Sequence, residues 1–134
     1  MVKNSVMKFE RTDSWVLVAV IHCGENGGTL SDIISVSDYI NHAVLSCTEL
    51  IGGLKRLIKT ALVEEQKGRF KPTKIVLDII NKTAKQRMKF KKQMDDLDAF
   101  LESLKDNLWP KTYMKIKGMN KNSYEKALND YLKK

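Results

Sequence analysis

The sequence predicts a mainly α-helical protein carrying one small β-hairpin, and three observations predict it. The chain has 134 residues, 43% of them hydrophobic, with only two prolines. That composition supports a buried core and long unbroken helical segments. Two capping-box spacings, Thr29-Leu30-Ser31-Asp32 and Ser46-Cys47-Thr48-Glu49, each stand directly before apolar residues at helical period. Lys67-Gly68 sits between two short extended runs, which is the pattern of a tight hairpin.

The first element spans Asp13 to His22 and is apolar almost all round. Its β-branched residues lean towards strand. Asp13 as an N-cap and Gly24 as a C-terminal stop favour helix, and the element is read as helix. The turn Gly24-Glu25-Asn26-Gly27-Gly28 follows. The second helix opens at Thr29 and places Leu30, Ile33, Ile34, Ser37, Ile40, Asn41 and Val44 at helical spacing, fraying near His42. The third opens at Ser46, with Leu50, Leu54, Leu57, Ile58 and Ala61 as its buried stripe. Thr48, Gly52, Lys55 and Lys59 fall on the opposite face, with Arg56 on the flank. The residues from Leu62 to Gln66 and from Arg69 to Pro72 form the hairpin.

Pro72-Thr73 suits a further helix start. Phe90, Met94, Leu97, Leu101, Leu104 and Leu108 make an apolar seam at alternating spacings of four and three. This seam either packs on the chain's own helices or forms a dimer interface. A helix end is expected at Trp109-Pro110. A last helix is expected from Asn122, with Glu125 at its third position, through Tyr124, Leu128, Tyr131 and Leu132. The chain is therefore read as a domain over residues 1–75 and a helical extension over 76–134.

The net charge of +8 is unevenly placed. Residues 1–62 hold six basic and six acidic side chains, so the whole excess lies in residues 63–134. Basic charge is densest over residues 67–92, an acidic stretch covers 95–106, and the segment from Lys111 is basic again. Such a balance attracts polyanions and equally favours solubility. The run from Lys82 to Lys92 could bind phosphates. Ala84, Met88 and Phe90 offer too little apolar area for insertion into a membrane surface, so a solvated helix face, or pairing with Asp95, Asp96 and Asp98 of a partner helix, is the plainer reading.

Helix, turn, helix, short connection, helix and hairpin is the element order of a winged helix-turn-helix. The segments Thr29-Leu30-Ser31-Asp32-Ile33-Ile34, Asp38-Tyr39-Ile40-Asn41-His42-Ala43, Thr48-Glu49-Leu50, Gly53-Leu54-Lys55-Arg56-Leu57 and Leu62-Val63 resemble the core of uncharacterised bacterial winged-helix proteins. Lys71-Pro72-Thr73 resembles the end of the wing, where a Thr caps the next helix. The resemblance covers residues 13–75 and consists mainly of a hydrophobic skeleton, which speaks to fold more than to function. The layout of a winged helix before a dimerising C-terminal helix is similar to that of PadR-type regulators, in layout only.

The resemblance implies a transcriptional regulator that binds double-stranded DNA, with a homodimer through the C-terminal helices as a further expectation. In this fold the second helix of the motif enters the major groove. Cys47, Thr48, Ile51, Gly52 and Lys55 are the residues that would reach base edges. The expected contact set is Thr48, Lys55, Arg56 and Lys59 on the third helix and Lys67, Arg69 and Lys71 on the wing. Against it stand Gly52-Gly53, which removes side chains where base contacts are wanted, and Glu49, Glu64 and Glu65, which repel phosphate. Winged helices also serve as protein-interaction modules, and that reading stays open beside DNA binding.

Catalysis finds no support in the residues: Gly-x-Ser-x-Gly, a phosphate loop and His-Glu-x-x-His are all missing from the sequence. Asp32 and Asp38, six apart, do not face each other on one helix. His22, Cys23, His42 and Cys47 could form a Cys2His2 set, but their spacing matches no zinc pattern, and neither a metal nor another cofactor is expected. No apolar run reaches the ~20 residues that span a bilayer. Residues 1–10 lack the apolar stretch of a secretory signal, and the two cysteines do not suggest a disulfide framework, so the expected location is the cytoplasm.

Overall fold

The computed structural model describes residues 9–24, 26–83, 95, 97, 99–102 and 120–133. It is mainly helical, with a two-stranded antiparallel sheet. The elements are α1 (Arg11–Ile21), α2 (Leu30–Asn41), α3 (Cys47–Lys59), β1 (Val63–Gln66), β2 (Arg69–Pro72), α4 (Lys74–Thr83) and α5 (Lys121–Leu132). Among the described residues no helix is long and apolar enough to cross a membrane.

The first element is a helix, but it begins earlier than its sequence signals suggest. Glu10 is the N-cap and Asp13 lies at the third helical position, where its Oδ2 accepts the Glu10 backbone N–H at 3.0 Å. Asp13 thus closes the first turn from inside the helix. The chain leaves α1 through His22, and Gly24, at φ +104°, takes the left-handed turn that a side chain would disfavour.

Both capping boxes form. Thr29 N–H donates to Asp32 Oδ2 at 3.0 Å and Asp32 N–H donates back to Thr29 Oγ1 at 3.2 Å. Ser46 N–H donates to Glu49 Oε1 at 2.9 Å and Glu49 N–H to Ser46 Oγ at 3.1 Å. Each box satisfies two backbone donors that a bare helix start would leave open. α2 ends at left-handed His42, so Val44 falls outside the helix and is exposed. α3 ends in a turn in which Leu62 N–H reaches back to the Leu57 carbonyl at 2.9 Å across left-handed Ala61. Two positions depart from the expected stripe: Ala61, beyond the end of the helix, is exposed, and Ile51 is buried.

The hairpin pairs Val63 with Pro72, Glu64 with Lys71, Glu65 with Phe70 and Gln66 with Arg69. Its two loop residues, Lys67 and Gly68, both have positive φ, 54° and 80°. These are the signs of a type I′ turn, whose twist matches that of the strands. Glu65 Oε2 accepts the Gly68 N–H at 2.8 Å and steadies the tip. Gly28, in the α1–α2 connection, exchanges two backbone hydrogen bonds with Phe70, at 2.9 and 2.8 Å. A Cβ on Gly28 would fall 2.4 Å from Cys23 Sγ, so only glycine fits against the Cys23 side chain here. Thr73, just ahead of α4, donates its hydroxyl to the Ala61 carbonyl at 2.7 Å, tying the start of α4 to the end of α3.

One buried cluster joins all of this. It takes Val16, Leu17, Val18 and Val20 from α1, Ile33 and Ile34 from α2, Leu50, Leu54 and Leu57 from α3, and Phe70 from the hairpin. Trp15 belongs to it too, donating its indole N–H to the Ser37 carbonyl at 3.1 Å. Leu97, Leu101, Tyr124 and Ala127 join the same cluster, so residues beyond 75 contribute to one core with the first three helices. Leu97 and Leu101, the two described members of the apolar seam, are almost fully buried inside the chain. Asp95 beside them pairs with Arg11 at 2.8 Å. Phe90, Met94, Leu104, Leu108, the Trp109-Pro110 helix end and residues 84–92 of the basic run lie outside the described residues.

The last helix starts two residues before its expected place. Asn120, not Asn122, is the N-cap, with its Oδ1 accepting the Ser123 N–H at 2.9 Å. The earlier start adds two residues to the helix, whose buried residues are Tyr124 and Ala127. α5 packs across α2 and α3. Tyr124 donates its hydroxyl to the buried Leu45 carbonyl at 2.5 Å, and Tyr131 donates to Asp38 Oδ2. Leu45 lies in the α2–α3 connection, so α5 holds the turn that sets the angle between those helices. Replacing Tyr124 by phenylalanine leaves that carbonyl without a partner. The expected loss is about 1–3 kcal/mol of unfolding free energy in urea titration; an unchanged midpoint would mean that water replaces the hydroxyl.

Candidate nucleic-acid interface

The residues expected to face DNA lie on α3 and on the hairpin that follows it. Positions 48, 52, 55 and 59 form one stripe along α3, on the side away from Leu50, Leu54 and Leu57. Thr48 is exposed and Lys55 and Lys59 are half-buried. A flank of the same helix meets α5, where Cys47 and Glu49 lie close enough to Tyr124 to help its burial raise the phenol pKa. At the middle of the stripe Gly52 is half-buried beside Arg56. The nearest atoms that a side chain on Gly52 would meet are those of the Arg56 guanidinium, at 3.4 Å.

Arg56 has a different task from its neighbours. Its Nε donates to Asp13 Oδ2 at 2.7 Å and its Nη2 to Asp13 Oδ1 at 2.8 Å, while Glu10 Oε2 lies 3.7 Å away. Asp13 is fully buried, so this bidentate bond neutralises a charge that would otherwise be stranded in the core. The hydrogen bond to Asp13 also raises the Arg56 pKa above its already high ordinary value. Two of the donors that could reach a phosphate are therefore turned inward. Ile51, expected near base edges, is buried as well.

Gly53 shows why the glycine pair is there. A Cβ at Gly53 would lie 3.0 Å from Asp13 Oδ1 and 3.3 Å from Val16 Cγ2. Gly53 lets α1 and α3 approach closely enough for Asp13 to meet Arg56. It is a packing residue, and Gly52 alone leaves a gap on the outer stripe.

On the hairpin, Glu64, Gln66, Arg69 and Lys71 share one face, opposite the buried Val63 and Phe70. Arg69 donates one Nη1–H to the Gly27 carbonyl at 3.1 Å, tying the hairpin to the α1–α2 turn, and keeps further donors for other partners. Lys67 stands exposed at the tip. The face is mixed, because Glu64 sits opposite Lys71 across the strands.

Cys23 and Cys47 are free thiols. Burial, aided by the Asp32 charge, pushes the Cys23 thiol up to about 12, so it stays protonated and unreactive at neutral pH. Among the described residues no three His, Cys, Asp or Glu side chains are placed to hold a metal ion. No protein-family model matches the chain, and no curated protein sequence and no solved structure matches it either.

Proposed function

We propose that α1 to α3 and the hairpin form a winged helix-turn-helix, and that the protein binds double-stranded DNA without catalysing a reaction, as a cytoplasmic transcriptional regulator. The observation that carries this reading is the outer stripe of α3. Thr48, Gly52, Lys55 and Lys59 face away from the core, while α5 packs on a flank. The hairpin is held to the α1–α2 turn by the Gly28–Phe70 bonds and by Arg69, which gives its cations a fixed position.

The contacts in this reading are mostly to phosphate. Lys55, Lys59, Lys67 and Lys71 supply charge, Arg69 adds its remaining donors, and Thr48 offers a hydroxyl. Arg56 supports α3 from within. With four phosphates neutralised, affinity for a random duplex falls roughly a hundredfold between 50 and 200 mM salt. A mobility-shift titration over that range measures the slope, and replacing Lys55, Lys59 and Lys67 by glutamine reduces it by about three. A chain that shifts no duplex at the lowest salt overturns the proposal. Dimerisation through residues 76–134 would place two such faces on one duplex, using residues other than the inward Leu97 and Leu101.

One observation favours a second reading, a protein-interaction module. Tyr39, in the last turn of α2, is 72% exposed, and Val44, in the connection to α3, is 41% exposed. Apolar surface at that end adds little to phosphate contact and suits a protein partner. Loss of duplex binding in the Tyr39→Ser, Val44→Ser double variant, with stability unchanged, would assign this surface to DNA instead.

A further inference from the structure

A groove of about 580 Å³ runs between the end of α1, the base of the hairpin and the start of α4. Its volume is that of a small-molecule site. Ile21, Pro72 and Leu77 give it apolar walls, while Glu64, Lys71 and Lys74 bring charge to it. Leu77 stays 42% exposed although it stands on a helix whose Val76 is fully buried. Neither Lys71 nor Lys74 forms an ion pair or side-chain hydrogen bond among the described residues. Glu64 lies opposite Lys71 across the hairpin, which leaves the groove with a net charge of one cation. The side of the groove at Gly24 is open, since a Cβ there would meet no atom within 4 Å.

We infer that this groove binds a small amphipathic monoanion, a carboxylate on an apolar body, with the head group at Lys71 and Lys74 and the body against Ile21, Pro72 and Leu77. An apolar wall beside two ammonium groups matches that chemistry. A dianion would meet Glu64, and a neutral apolar molecule would leave the lysines unused. Binding would also draw Lys71 away from a duplex, so such a ligand would act against DNA binding if the proposed contact set holds.

Octanoate is the probe, followed by two-dimensional amide NMR of the full chain without DNA, so that the result does not depend on the duplex reading. Shifts are expected at Ile21, Gly24, Glu64, Lys74 and Leu77, saturating in the low millimolar range. The Lys71→Gln, Lys74→Gln double variant is expected to bind about tenfold more weakly, and Leu77→Asp to abolish the shifts while the rest of the spectrum stays folded. Octylamine and octanol are the controls. No shifts with octanoate, equal shifts with either control, or undiminished binding by the double variant would overturn the inference.

Discussion

Replacing Arg56 by methionine is expected to destabilise the protein by about 3 kcal/mol, at the low end of the range for breaking a buried ion pair. The size follows from what is left behind. Asp13 has no exposed surface, and its two oxygens accept from Arg56 Nε and Nη2 at 2.7 and 2.8 Å. Without Arg56 the carboxylate keeps, among the described residues, the Glu10 N–H, which leaves a buried group short of hydrogen-bond partners. The Arg56 side chain itself is 26% exposed, so part of its charge is already solvated, which argues against the upper end of the range. Arg56→Lys should also lose stability, because an ammonium cannot reproduce the two parallel bonds. In the Asp13→Leu, Arg56→Met double variant the losses should not add, since removing both partners removes the stranded charge. Urea unfolding of the parent, Arg56→Met, Asp13→Leu and the double variant closes the cycle. A loss below about 1 kcal/mol for Arg56→Met would place the pair among ordinary surface ion pairs. The same series separates fold from function: a fall in duplex affinity that tracks the unfolded fraction marks Arg56 as a support, whereas a fall in the fully folded population marks it as a contact.

This ion pair also shows where the sequence stops being informative. The capping boxes at Thr29 and Ser46 were legible because each closes within four residues and leaves a spacing that can be read directly. The hairpin was legible for the same reason, through Lys67-Gly68 and its flanking runs. Asp13 and Arg56 are separated by 43 positions. An Asp ahead of an apolar run usually is an N-cap, and nothing local shows that a guanidinium from α3 will meet Asp13. A regular helical wheel misplaces Ile51 and Ala61, since left-handed Ala61 lies beyond the helix end and α5 packs across α3. The start of α5 is ambiguous in the sequence, because Asn120 and Asn122 are both good caps; the helix uses Asn120, whose Oδ1 accepts the Ser123 N–H. The candidate interface was legible as a stripe on α3, but which of its cations point outward depended on tertiary contacts.

The adjacent glycines of α3 should respond to alanine with opposite signs. Gly52→Ala adds a methyl on the outer stripe, where the nearest neighbour is the Arg56 guanidinium at ordinary contact distance, 3.4 Å. The expected result is a gain of about 0.5–1 kcal/mol, because alanine restricts the unfolded chain and favours helix. Gly53→Ala earns the same propensity gain but forces a Cβ to 3.0 Å from Asp13 Oδ1 and 3.3 Å from Val16 Cγ2. Asp13 is held by Arg56 and Val16 is fully buried, so neither can withdraw easily, and overpacking of this kind costs about 1–3 kcal/mol. The net effect is destabilising, and thermal unfolding of the two variants should move in opposite directions. Gly52→Lys carries the comparison to function. It keeps most of the helical gain and adds a cation between Thr48 and Lys55, so a duplex held by its phosphates should bind more tightly and show a steeper salt dependence. If instead the stripe is covered by a protein partner, the same lysine would fill the gap at Gly52 and weaken that association while leaving duplex affinity unmoved. A single substitution at Gly52 therefore distinguishes a duplex from a protein partner on this stripe, in a variant expected to be no less stable than the parent.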